Sequence, residues 1–264
     1  MVEARPLTGC RILVTRPGGP TAALAGRLRA LGATVASRPT IALVEPTDLE
    51  RPRRALAALD SYDWVLFTSV WGVRFFHERS LRCAERPPRI RGRVAAIGPA
   101  TARALEDRGM PPTLTATRSD SPGLFRALED EGLTGSSLLL VRPEVADAEL
   151  PRALESLGAT VDAIAFYRNV PAPGIAGIAA ELCRGAYDLV LFTSPSTLDR
   201  LLEVQDPSVS DIKSSLARTR IVAIGETTAG TLRRHGLDVA ATADLPGEEG
   251  LVAAVLRVVR DAAP

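Results

Sequence analysis

Residues 12–35, ILVTRPGGPTAALAGRLRALGATV, recur at 138–161 as LLLVRPEVADAELPRALESLGATV, identical at 11 of 24 positions without a gap. YDWVLFTS at 62–69 returns as YDLVLFTS at 187–194, with seven of eight residues identical. VAAIGPATARALEDRG at 94–109 returns as IVAIGETTAGTLRRHG at 221–236, with seven of 16 identical. The offsets are 126, 125 and 127 residues, so one plan is written twice along the 264 residues. A chain of that length suits two domains at about one per 150 residues.

Each copy has the same local grammar. Short apolar runs such as ILV, VLF and VAAI predict strands buried on both faces, as in a parallel sheet. Turn or cap residues follow, and then helical periodicity. Leu24, Leu28 and Leu31 fall on one helix face ahead of Gly32, as Ala102 and Leu105 do ahead of Gly109 and Ala229 and Leu232 ahead of Gly236. Strand, cap, helix, glycine, strand is the pattern of a doubly wound α/β lobe, and the repeat predicts two of them. A tandem arrangement would place 12–109 in one lobe and 138–236 in the other. An interleaved one would join 12–35 to 187–236 and keep 62–161 together. Matching extended stretches at 37–46 and 162–171 suit a double crossover and favour interleaving.

Several function classes drop out. Basic and acidic residues nearly cancel, 32 against 31, which argues against a nucleic-acid or membrane footprint. No apolar run reaches the roughly 18–20 residues of a membrane span, and the N-terminus has no secretory pattern, so a cytoplasmic protein is expected. Cys10, Cys83 and Cys183 are far apart and read as small buried hydrophobes or bystanders. With only His77 and His235, a metal cluster is not expected. There is no GxGxxG after a strand and no GxSxG elbow, and Lys213, the one lysine, falls in a polar DPSVSDIKSS loop without a phosphate-loop motif.

What remains is hydroxyls at strand–helix junctions: Thr68, Ser69, Thr101, Thr193, Ser194, Ser196, Thr227 and Thr228. Ligands of open α/β sheets bind outside the carboxyl ends of the strands, where helix N-terminal amides attract anions. A doubled set of such junctions could hold a large polyanion. Plain helix capping by Ser and Thr is the competing reading of each hydroxyl.

Taken together, ILVTRP…LGATV, YDWVLFTSVWGV, VAAIGPATARAL, YDLVLFTSPSTL and IVAIGETTAGTL, with Tyr167 in IAFYRNV, resemble the uroporphyrinogen-III synthase family over roughly residues 10–258. The resemblance implies two flavodoxin-like, doubly wound parallel-sheet lobes joined by a two-stranded linker. Residues 1–37 with 171–264 would form one lobe and 38–170, including the linker strands, the other. It implies a cyclising hydro-lyase that dehydrates hydroxymethylbilane and inverts ring D through a spiro intermediate to give uroporphyrinogen III. No cofactor or metal is expected, the partner is that small molecule alone, and the protein would act as a monomer. The competing class is a non-catalytic, two-lobed module that binds or senses an anion or a tetrapyrrole.

Tyr167 matches the family's linker-strand tyrosine and is the candidate catalytic residue, assisting departure of the hydroxyl group. Ser69 and Ser194 match the FTS and FSPS junctions, and Thr101, Thr227 and Thr228 the IGxxT junctions; these five, with Ser196 at the second junction, are candidate substrate-binding residues. Arg16 and Arg142 end equivalent strands in the two copies and are candidates for bidentate contacts to substrate carboxylates. Two places depart from the family's usual form: Val70–Trp71 follows the first FTS, and Glu226 follows Gly225. A carboxylate at that second place would oppose an anion unless it points away.

Overall fold

The structure, a computed structural model, describes residues 5–16, 21–84, 87–206, 211–245 and 247–261. The turn residues 17–20 of the first repeat lie outside the described residues. The chain opens with β1 (Arg11–Val14), α1 (Thr21–Ala30), β2 (Thr34–Ser37) and β3 (Ile41–Val44). It continues through α2 (Glu50–Ala57), β4 (Trp64–Phe67), α3 (Val70–Ala84), β5 (Arg93–Ala96), α4 (Pro99–Glu106) and β6 (Leu114–Thr115). Next come α5 (Ser121–Glu129), β7 (Ser137–Pro143), α6 (Glu149–Ser156), β8 (Thr160–Pro171) and α7 (Ile175–Cys183). The last elements are β9 (Leu189–Phe192), α8 (Pro195–Leu202), α9 (Ile212–Ala217), β10 (Arg220–Ala223), α10 (Glu226–Arg234), β11 (Ala241–Thr242) and α11 (Glu248–Arg260).

Two compact units result, residues 1–42 with 170–264 and residues 43–169. The first contains a parallel sheet ordered β2-β1-β9-β10-β11. The second contains a parallel sheet ordered β8-β7-β4-β5-β6, with β3 added outside β8. The repeats make β7 the equivalent of β1, β8 of β2, β4 of β9 and β5 of β10. With those equivalences both sheets have the same doubly wound order, and the second unit is a circular permutation of the first. Interleaving is therefore the arrangement adopted: β1 pairs with β2 and β9, never with β4.

The continuous apolar runs have a direct cause, since helices cover both faces of each sheet. Ile12 and Val14 join Leu24, Leu28 and the apolar side of α11 on one face, whereas Leu13 packs with Ile178, Leu198 and Leu232 on the other. The second unit repeats this, with Phe67, Phe76 and Phe166 on one face and Leu66, Leu124 and Leu154 on the other. Leu24 and Leu28 are fully buried, each stabilising the fold by about 1.5–3 kcal/mol. Gly32 turns the chain out of α1 at φ +101°, where a Cβ would lie 2.8 Å from Thr8 Oγ1.

Two local expectations are corrected. Lys213 lies in a short helix rather than a loop: Asp211 accepts the Ser214 N–H at 3.0 Å as N-cap, and Ile212 and Leu216 are buried. The extended stretches after the two GATV motifs also differ. β8 runs unbroken from Thr160 to Pro171, whereas β2 ends at Ser37 and β3 begins at Ile41. Pro39 in the gap has no N–H to offer a ladder. Of the cysteines, Cys10 is buried and Cys83 is exposed.

Candidate functional site

In the second unit Tyr167, Arg142, Ser69 and Thr101 follow one another along the carboxyl edge, on β8, the end of β7, the β4–α3 junction and the first turn of α4. The β7–β8 ladder sets Tyr167. It runs in register to Arg142 opposite Ala165, then skips Phe166 and pairs Pro143 with Tyr167. This bulge re-aims the side chain. Phe166 packs on Phe76 at 5.2 Å between ring centroids, and Tyr167 stacks on Phe75 at 5.5 Å and 18°. The phenol is 5% exposed, and its hydroxyl lies 2.9 Å from Ser69 Oγ. Ser69 Oγ accepts the Gly72 N–H at 2.8 Å, capping α3. Burial pushes the Tyr167 phenol up from its ordinary value, and the Ser69 hydrogen bond offsets part of that. Tyr167 is thus neutral and able to donate at physiological pH.

Tyr167 and Arg142 line one cavity of about 200 Å³ together with Thr68, Ser121 and Asp147. Arg142 donates to the Asp147 carbonyl at 2.5 Å. It also lines a neighbouring cavity of about 420 Å³ that holds Arg51, Thr47 and Glu144. Thr47 pins the Glu144 carboxylate through its N–H at 2.7 Å and its hydroxyl at 2.9 Å, which holds the Glu144 pKa down.

In the first unit Arg16, Ser194 with Ser196, and Thr227 with Thr228 follow β1, β9 and β10, three neighbouring strands of one sheet. Arg16 makes no hydrogen bond or ion pair among the described residues, and burial pulls its pKa down against the opposing pull of Glu248. A partly desolvated guanidinium in no direct ion pair among the described residues is a site that favours an added anion. Ser194 and Ser196 hydroxyls lie 3.0 Å apart at the start of α8. Thr228 is buried and Thr227 exposed. Glu226 reaches Arg233 on its own helix, which neutralises the carboxylate that would otherwise oppose an anion.

Capping by the junction hydroxyls holds for Ser69 only. Ser194 is an N-cap without a side-chain cap bond, and Gly98 and Gly225 are the N-caps of α4 and α10. A Cβ on Gly98 would stand 2.1 Å from Ser119 Oγ, so that junction is filled, while nothing stands within 4 Å of Gly225. The structure therefore gathers the candidates into two sets, one per sheet. The pair Arg16 and Ser194 flanks the β1–β9 seam, and Arg142 and Ser69 the β7–β4 seam, the points where each strand order reverses. Sequence reasoning missed Phe75, Ser121 and Arg51. The Asp120-Ser-Pro start of α5, where Asp120 accepts the Gly123 N–H at 2.7 Å, was the available signal for Ser121. No helix among the described residues is long and apolar enough to cross a membrane.

Residues 22–253 match the family model described as uroporphyrinogen-III synthase HemD. A Methanothermobacter thermautotrophicus protein named "Putative uroporphyrinogen-III synthase" is 32% identical over 85% of this chain and 89% of its own length. The uroporphyrinogen-III synthase of Chlorobaculum parvum is 28% identical over 86% of this chain and 90% of its own. In fold the chain is similar to the crystal structure of a mutant uroporphyrinogen III synthase from Thermus thermophilus, with a TM-score of 0.68 at 22% identity, covering 96% of this chain and 100% of that one. Doubly wound sheets carrying candidate anion-binding and proton-donating groups at their reversal points thus coincide with a match over most of the chain's length: this chain belongs to the uroporphyrinogen-III synthase family, the cyclising lyases of tetrapyrrole biosynthesis.

Proposed function

We propose that this chain converts hydroxymethylbilane to uroporphyrinogen III with Tyr167 as the proton donor. One observation carries the assignment of Tyr167: a buried phenol, kept neutral, lines the same cavity as Arg142. The hydroxymethyl C–O bond breaks as Tyr167 gives its proton to the departing oxygen, and water leaves. Ser69 donates to the phenolic oxygen as negative charge develops there, and the Gly72 amide at the helix N-terminus holds Ser69 in place. The electron-deficient methylene is then attacked by the substituted carbon of ring D. The spiro intermediate reopens and closes with ring D inverted, and the released ring proton restores the phenol.

The substrate's carboxylates need many weak anchors rather than one strong one. Arg16 and Arg142 supply guanidinium forks, and Ser194, Ser196, Thr101, Thr227 and Thr228 supply hydroxyls beside helix N-terminal amides. The same reading has the protein work as a cytoplasmic monomer without cofactor, metal or nucleic-acid partner. Hydroxymethylbilane given to the purified chain alone, with isomer analysis after oxidation, tests it. Uroporphyrinogen III is expected. Isomer I alone, at the uncatalysed rate, returns the chain to the class of non-catalytic binding modules.

A further inference from the structure

A second concavity lies in residues 43–169 at the opposite, amino-terminal edge of the sheet. It has a volume of about 390 Å³ and is bounded by α2, by the second half of α3 and by the segment that leads into β5. That volume falls within the roughly 300–1,000 Å³ of small-molecule sites. Leu56 and Leu59 give it an apolar wall. On the α3 side Ser80 and Cys83, three residues apart and so on one helix face, both line it. Ser80 is 4% exposed, and its hydroxyl has no hydrogen-bond partner, an unusual state for a buried polar group. Its oxygen has under 1 Å² of accessible surface, so it is the rest of the side chain, and not the hydroxyl, that faces the cavity.

The rim is cationic. Among the described residues Arg53, Arg89 and Arg91 line it against a single acid, Asp60. Arg53 is held by Glu50 at 2.7 Å, and Arg91 by Asp60 at 3.2 Å. Arg89 makes no hydrogen bond or ion pair among the described residues. An apolar wall and a guanidinium unpaired among the described residues at the mouth together describe a small ligand with an apolar body and one carboxylate.

We propose that this cavity is a second binding site, separate from the Tyr167 edge, for a small aromatic carboxylate, with Arg89 taking the carboxylate and Leu56 and Leu59 packing against the ring. Cys83 gives the site its own reporter, because it is an exposed thiol lining it. The full-length protein is treated with iodoacetamide while naphthoate is titrated, and alkylation is mapped by peptide mass analysis, with Cys183 as the internal control. Saturable, several-fold slowing at Cys83 alone is expected, with no slowing by the neutral analogue naphthalenemethanol. Arg89→Gln should abolish the protection without changing the rate in the absence of naphthoate. The proposal is overturned if Cys83 reacts at an unchanged rate at saturating naphthoate. Equal protection by the alcohol, or protection that survives Arg89→Gln, overturns it as well.

Discussion

Ser69 and Tyr167 share a hydroxyl–hydroxyl contact of 2.9 Å, and Ser69 takes the Gly72 amide at 2.8 Å with the same oxygen. With one lone pair of Ser69 committed to the helix, its proton is free to point at the phenolic oxygen. With Ser69 as the donor of that contact, the order Gly72 N–H, Ser69 O–H, Tyr167 O–H runs as a chain of donors towards the cavity. In the proposed mechanism that chain would make the phenol a better acid at the moment of transfer without ionising it beforehand.

Tyr167→Phe should therefore lower turnover by roughly 10- to 100-fold while the fold persists. A positioned general acid contributes about 10²–10⁴-fold, discounted here because a pyrrolic hydroxymethyl ionises readily and bound water can donate instead. The stability cost is about one hydrogen bond, roughly 0.5–1.5 kcal/mol. Turnover and melting temperature measured on one preparation decide it, and a wild-type rate with a lowered melting temperature would make Tyr167 purely structural.

Ser69→Ala separates the two jobs of Ser69. Losing the cap of α3 should cost about 0.5–2 kcal/mol, and losing the donor to Tyr167 should lower kcat with KM unchanged. Ser69→Thr keeps a hydroxyl and should recover most of both. If Ser69→Ala lowered only the melting temperature, the donor chain would be discarded.

The pH profile follows from burial. Tyr167 has its pKa raised above the reference 10.0 by desolvation. Its protonated form is therefore favoured by the fold, and that contribution to stability is fully present below pH 10 and lost as pH rises through the folded value. The alkaline limb of kcat assigned to Tyr167 should lie above pH 10 and be missing in Tyr167→Phe. A limb near pH 8 that vanished in that variant would contradict the burial of the phenol.

Arg16 is the proposed anion anchor with the cleanest signature. Arg16→Ala should raise KM by roughly 10- to 100-fold, the loss of a charge-assisted hydrogen bond of about 1.5–3 kcal/mol, with kcat little changed. Its melting temperature should not fall, because Arg16 makes no hydrogen bond or direct ion pair among the described residues and the pull of Glu248 is outweighed by the cost of burial. Steady-state kinetics beside a thermal melt checks both halves. An unchanged KM would leave Arg16 without a substrate role.

The interleaved fold was legible because the repeat is exact enough in YD[WL]VLFTS and LGATV to align strands, and aligned strands constrain sheet order. The site was legible only by strand end. Tyr167 could be placed on a strand, but its aim depends on the residue skipped at Phe166, and a bulge leaves no mark in a run of apolar residues. Its partner Phe75 is one aromatic among several on a helix. The threonines of the IGxxT junctions looked like caps because Thr is a fair N-cap residue. Glycine holds that position in both copies, and at Gly98 the close approach of Ser119 leaves no room for a side chain.

The repeated Tyr-Asp pair has a structural role that yields the last prediction. Asp188 accepts the N–H of Arg11, the first residue of β1, at 2.8 Å, and its permuted counterpart Asp63 accepts the N–H of Ser137, the first residue of β7, at 2.8 Å. In both copies one carboxylate pins the start of the neighbouring strand and so sets the register of the seam whose far end carries the candidate site. Arg11 adds a side-chain bond of 2.7 Å to Asp188, and that bond, ahead of the backbone one, holds the Asp188 pKa below its reference 3.8. The stability from a depressed carboxylate is present above the unfolded value and is lost as pH falls through the folded one. Asp188→Asn should thus lower the melting temperature at pH 7 by about 2–4 °C, the shift of roughly 1 kcal/mol in a protein of this size. As pH falls below 3.8 and through the lower, folded value the gap between wild type and variant should close, since the wild-type carboxyl is then protonated too. Melting curves from pH 7 to pH 2 test this, and a gap that stayed constant to the acid end would show that charge plays no part in holding the β1–β9 seam.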